Sequence, residues 1–77
     1  MKALFNCSCI KNVYLRLDSS TIELEITYIN DPNTTWKSRM SVGDISNKQY
    51  HRDKYETAYN TIKKALLEKE TFVEIEV

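Results

Sequence analysis

Glycine and proline are almost missing from this chain. Gly43 and Pro32 are the only ones in 77 residues. Disordered segments and long wandering loops are rich in such residues, so their scarcity argues for regular elements joined by tight turns. One glycine also excludes the glycine-rich loop that cradles a nucleotide phosphate. Histidine occurs once, as His51, and cysteine twice, as Cys7 and Cys9. A structural zinc takes four ligands, usually from spaced pairs, and three candidates fall short of that. Net charge is missing as well: eleven basic and eleven acidic residues cancel. A strong DNA binder carries a basic excess to neutralise phosphates, and a DNA mimic carries the opposite. No apolar run approaches the ~20 residues of a membrane-spanning helix. The opening "MKALFNCSCI" is too short and too interrupted for a signal sequence. The expected compartment is the cytoplasm, where thiols stay reduced. The formal glycosylation acceptors "NCS" and "NTT" are read as chance matches.

What is present reads as one domain over residues 1–77, with 42% apolar and 29% charged residues, ordinary values for a globule. Alternation of period two marks strands. Ala3 to Ile10 alternates, with Phe5, Cys7 and Cys9 on one face, and Lys11-Asn12 offers a hairpin turn. Val13, Leu15 and Leu17 alternate with Tyr14 and Arg16. After the polar turn Asp18-Ser19-Ser20, residues Ile22, Leu24, Ile26 and Tyr28 alternate with Glu23, Glu25 and Thr27. Asn30-Asp31-Pro32-Asn33 is a turn, since proline fixes φ and Asp and Asn bond back to the backbone. Trp36, Ser38, Met40 and Val42 then point inward, and Lys37 and Arg39 point to solvent.

The period changes after Gly43. Ser46 with Gln49 fits a capping box, and Ile45 with Tyr50 a hydrophobic staple; Asp53 with Glu56 offers a later start. Tyr55, Ala58, Tyr59, Ile62, Ala65 and Leu66 form one apolar helical stripe. A helix over 47–69 would reach ~35 Å at 1.5 Å per residue, longer than strands of six to eight residues. The main helix is therefore expected from about residue 53, preceded by a helical turn or a bend with His51 at that joint, and its start is left open between residues 46 and 53. From Thr71 the period returns to two, with Val73, Ile75 and Val77 inward and Glu74 and Glu76 outward. The predicted fold is α+β, a mainly antiparallel sheet of four to five strands with one long helix on one face, in the order β-β-β-β-α-β. A right-handed crossover would set the last strand parallel to the fourth or near it, inserted beside an early strand. On the sheet's other face, Tyr14, Arg16, Lys37 and Arg39 imply water, whereas Leu4, Ile10 and Ile29 imply partial cover.

No catalytic set emerges. Cys7 and Cys9 read as packing residues, because free cysteine is among the most buried residue types and a redox pair normally has two intervening residues at a helix start. His51 has Asp53 nearby but no nucleophile with it. Glu74 and Glu76 read as the wet face of a strand. An enzyme is not expected, and no metal or cofactor is implied. Trp36, Lys37, Arg39, Tyr50, His51 and Arg52 remain as partner-binding candidates. Basic groups interleaved with aromatics suit single-stranded nucleic acid and equally suit a protein partner, where Trp, Tyr and Arg dominate.

The segment "AYNTIKKALLEKETFVEIEV", residues 58–77, resembles the C-terminal half of the small phage antitoxins of the Dmd type. The likeness rests on Lys64-Ala65-Leu66-Leu67-Glu68 followed by Val73, Glu74, Ile75 and Glu76, with Trp36 ahead of the helix. Those antitoxins silence an RNA-cleaving toxin of the host. This chain is longer, has a cysteine-bearing first strand and a wider gap from Trp36 to the helix, so no family binding residue is carried over. The resemblance implies a non-catalytic, phage-encoded inhibitor that binds and blocks a host defence protein, a toxin nuclease or a CRISPR-type complex. The alternative is a single-stranded nucleic-acid-binding module using the basic-aromatic patch. A homodimer is a further expectation, because a small sheet with an uncovered face can hide it against a copy of itself.

Overall fold

Four strands, a helix and a fifth strand follow one another, the order and α+β class that the sequence predicts. The computed structural model describes residues 1–43 and 46–77; the pairing expected of Ile45 with Tyr50 lies outside the described residues. The elements are β1 (Lys2–Asn6), β2 (Ile10–Leu17), β3 (Thr21–Tyr28), β4 (Thr35–Ser41), α1 (Lys48–Leu67) and β5 (Phe72–Glu76). The strands form two antiparallel ladders rather than one continuous sheet, β2-β3-β4 and β1-β5.

The division falls at "NCSC". Alternation predicts a strand through Cys9, but Cys7–Cys9 is a turn of 3-10 helix. Asn6 is the reason. Its side-chain oxygen accepts from the Ser8 N–H at 3.0 Å and from the Ser8 hydroxyl at 2.7 Å, and such local bonds compete with a ladder. Both ends of the corner stay tied. The Cys7 N–H donates to the Thr71 carbonyl at 2.9 Å and the Ile29 N–H to the Cys9 carbonyl at 2.9 Å, so each ladder is prolonged to the corner. Lys11-Asn12, expected as a turn, lies inside β2, where the register slips between Ile10 and Asn12. The corner and the slip reset the phase of alternation, which puts Ile10 in the core rather than on the outer face.

Residues paired across a ladder share a face. The register therefore builds three inner rows, Val13–Ile26–Trp36, Leu15–Leu24–Ser38 and Leu17–Ile22–Met40. Ile22, Leu24 and Ile26 are fully buried beneath Tyr55, Ala58, Ile62 and Ala65 of α1, and Phe5, Val73 and Ile75 join them from the smaller ladder. The polar residue in these rows has a partner: the hydroxyls of Ser38 and Tyr55 lie 2.7 Å apart. Trp36 closes the rim of the core, half-buried, with its ring 5.2 Å from that of Phe5 in an edge-to-face arrangement.

The helix starts before residue 53, and the helical turn expected ahead of it is continuous with it. It runs through the expected joint, and His51 sits in its first turns. Twenty residues rise ~30 Å, and the molecule, 37 Å along its longest axis, accommodates them. Neither expected cap is used. Asn47 occupies the N-cap with left-handed geometry and no side-chain cap bond, and Gln49 donates to Asp53 one turn on. The other end is a Schellman turn. The Glu70 N–H reaches the Ala65 carbonyl at 3.0 Å, the Lys69 N–H reaches Leu66 at 3.3 Å, and Lys69 is left-handed with φ 55°. This tight reversal returns the chain beside an early strand, as expected. Its bonded neighbour, however, is β1 in antiparallel register, Ala3 opposite Ile75 and Phe5 opposite Val73, with no parallel pairing to β4. No helix among the described residues is long and apolar enough to cross a membrane.

Candidate partner-binding surface

The register that builds the inner rows also fixes the outer face of the three-stranded sheet. Tyr14, Glu25 and Lys37 form one row, and Arg16, Glu23 and Arg39 the next. The basic residues of β2 and β4 thus flank a central file of carboxylates. Arg39 Nε lies 3.8 Å from the Glu23 carboxylate, and Arg16 Nε donates to Asp18 at 2.7 Å. Glu23 is the least exposed of these, its side chain 13% accessible against 58% for Arg39. Tyr14, 52% exposed, is the aromatic anchor on this face.

The six candidates from the sequence do not converge on one patch. Lys37 and Arg39 stand together on the outer face. Trp36, between them and the turn, faces the opposite way, against Phe5. Tyr50 and His51 meet edge to face at 5.2 Å at the start of α1, with the Lys54 ammonium 6.0 Å from the Tyr50 ring centre. Arg52 is used internally: it donates to the Asp18 carbonyl at 2.9 Å and so fastens the helix start to the β2–β3 turn. Sequence reasoning placed Glu23 and Glu25 only as the residues that alternate with the apolar ones of the third strand. Their position between Arg16, Lys37 and Arg39 is visible only once the register is known.

Asp18 organises that turn. Its carboxylate accepts from the Ser20 and Thr21 N–H groups at 2.9 and 2.7 Å as well as from Arg16. The Ser20 amide first, then the Arg16 guanidinium and the Thr21 amide, hold its carboxyl well below the usual carboxylate range. No family model, curated protein or solved structure matches this chain.

Cys7 is buried and Cys9 half-buried, both as free thiols. Burial, with Cys9 adding a smaller charge effect, pushes the Tyr28 hydroxyl upward. Among the described residues no three His, Cys, Asp or Glu side chains gather where one ion could be held. A second surface lies between α1 and β5. There an open groove of about 470 Å³ has Tyr50, Asp53, Lys54, Thr57 and Thr61 along its helical wall. Ala58 and Ile75, both core residues, form its floor, with Glu74 and Glu76 opposite the helix.

Proposed function

We propose that this protein is a non-catalytic inhibitor, phage-encoded and acting in the host cytoplasm, that binds and blocks a host defence protein of the toxin-nuclease or CRISPR type. The observation that supports this reading best is the outer face of β2-β3-β4. It is uncovered, it carries Tyr14 as a rigid anchor, and its charges alternate in a fixed pattern. Such a pattern is read by a protein with the complementary one, and electrostatic complementarity governs specificity and encounter rate. The likeness of residues 58–77 to Dmd-type antitoxins agrees in kind. Lys37 and Arg39 are the contact residues on this face, and Tyr50 and His51 stand apart from it at the helix start.

The test is inhibition in a reconstituted assay. RNA-cleaving toxins and CRISPR nuclease complexes are titrated with the protein and with the Lys37→Glu/Arg39→Glu variant. One-to-one inhibition, weakened tenfold or more in a variant that keeps its circular dichroism spectrum, is the expected result. Equal inhibition by the folded variant removes the sheet face from the contact. A second reading, a single-stranded nucleic-acid module, draws on Tyr14 among Arg16, Lys37 and Arg39. Glu23 and Glu25 oppose it, since they would face the phosphates. Oligonucleotide binding that falls steeply with salt would favour it over inhibition.

A further inference from the structure

β5 has one bonded edge and, among the described residues, one open edge. Met1 and Val77 exchange both backbone bonds, at 3.0 and 2.9 Å. Bonded pairs recur every second residue in an antiparallel ladder, so Ala3–Ile75 and Phe5–Val73 are the next. The N–H and C=O groups of Phe72, Glu74 and Glu76 consequently point away from β1. Three consecutive residues, Glu74, Ile75 and Glu76, border the groove. Neighbouring strand residues put their side chains on opposite faces, so a groove that touches all three runs along the strand's edge. The helical wall from Tyr50 to Thr61 rises ~16 Å, the length of about five strand residues, and β5 has five. A strand added ~4.8 Å from β5 would occupy this space.

We infer that the groove between α1 and β5 takes an extended basic segment of a partner protein as a sixth strand, paired with the open edge of β5. Charge decides the occupant. Among the described residues, Asp53, Glu74 and Glu76 face the groove against Lys54, and Lys2 stands opposite Glu76 across the bonded edge of β5, leaving Glu74 with Leu4 as its partner. Positions of the segment opposite Glu74 and Glu76 carry Lys or Arg, and the alternate positions, turned toward Ala58, carry small apolar residues. A second copy of this chain is the wrong occupant. Pairing β5 with β5 sets glutamates opposite glutamates, which is destabilising. The basic edge strand β4 carries Phe5 against Trp36 on the face that would have to enter the groove. This mode gains affinity from backbone bonds and specificity from alternate side chains. It goes beyond the sheet-face reading and does not rest on it.

The probe is an acetylated, amidated heptapeptide of alternating lysine and valine, titrated into ¹⁵N-labelled protein. Saturable shifts are expected at the amides of residues 72–76 and along residues 50–61. Hydrogen exchange at the Glu74 and Glu76 amides should slow tenfold or more. Backbone N-methylation of the two lysines flanking the central valine, the positions opposite Glu74 and Glu76, removes ladder donors at constant charge and should weaken binding tenfold or more. Glu74→Lys/Glu76→Lys should do the same, whereas Lys37→Glu/Arg39→Glu should leave the affinity unchanged. Should the glutamate variant fail to fold, the N-methyl comparison on the unaltered protein decides alone. Equal binding of the N-methylated peptide, shifts centred on the outer sheet face, or concentration-dependent self-association through residues 72–76 would each overturn the inference.

Discussion

The outer sheet face and the β5 edge carry charge in opposite ways. On the sheet, Arg16, Lys37 and Arg39 stand beside Glu23 and Glu25, and Asp18 takes a bond from Arg16. Three cations meet three carboxylates. At the groove, three carboxylates, Asp53, Glu74 and Glu76, meet Lys54, and across the bonded edge of β5 Lys2 stands opposite Glu76. The cause is topological. A ladder sets cross-strand neighbours about 4.5–5.5 Å apart, so a central strand of glutamates between basic strands compensates itself. β5 has a neighbouring strand on one edge only among the described residues, and that strand sets a lysine opposite Glu76 but a leucine opposite Glu74. A chain with no net charge therefore has one balanced surface and one acidic surface, and only the second asks for a basic partner.

The sharpest way to break this contrast is to remove the edge. Deleting residues 71–77 leaves β1 without its ladder and exposes the contacts of Val73 and Ile75, and the expected outcome is loss of the folded state by circular dichroism. The milder Ile75→Ala, at a side chain 4% exposed, should cost about 2–4 kcal/mol, measured by urea denaturation. A loss below ~1 kcal/mol would mean that β5 is an accessory strand and the groove beside it a weak platform. Arg52→Ala comes next. It severs the tie between the start of α1 and the Asp18 carbonyl, worth about 1.5 kcal/mol for a bond from a charged donor. Its loss should also free residues 48–52 to exchange their amide hydrogens faster. The same turn gives a pH signature. The folded-state pKa of Asp18 is depressed, so its contribution is fully present above the unfolded value of ~3.9 and is lost as pH falls below it. The thermal midpoint of Asp18→Asn should therefore decline less steeply with acid than that of the unaltered chain.

These tests also separate what the sequence discloses from what it conceals. Inner and outer sides of β3 and β4 were legible, because each alternates without interruption and each is entered from a turn of Asp with Asn, Ser or Pro. The stripe from Tyr55 to Ala65 was legible for the same reason. The corner at Cys7–Cys9 was not, although Asn6 and Ser8 carried its signal: an Asn two residues before a Ser can bond locally, and a period-two pattern does not show that competition. The helix start was hidden because its anchor, Arg52 on Asp18, is a contact across 34 residues. The candidate surface was half legible. Exposure of Lys37 and Arg39 followed from alternation, but their carboxylate neighbours follow from register, and the edge of β5 follows from which strand it joins.

A smaller effect of opposite sign is expected at the turn that delivers β5. Lys69 holds φ 55°, a conformation glycine adopts without the Cβ penalty. Lys69→Gly should raise stability, by up to about 1 kcal/mol after the added freedom of the unfolded chain is set against the relief. A destabilised variant would show that the lysine side chain, rather than the backbone turn, positions the edge.

The smallest expected effect concerns the balanced face itself. Arg39 and Glu23 are close enough to pair, at 3.8 Å, but the guanidinium is more than half exposed. Exposed pairs contribute little because water and salt screen them and ordering both side chains costs entropy. Arg39→Ala should change stability by less than ~0.5 kcal/mol, and raising the salt concentration should shrink even that. The prediction bears on what the charges are for. If the rows of β2, β3 and β4 are nearly silent in stability yet the reversal of Lys37 and Arg39 abolishes inhibition, the pattern serves recognition. A loss above ~1 kcal/mol for Arg39→Ala would instead make the rows part of what holds the sheet together. The contrast with the β5 edge would then be one between a structural ionic surface and a binding one.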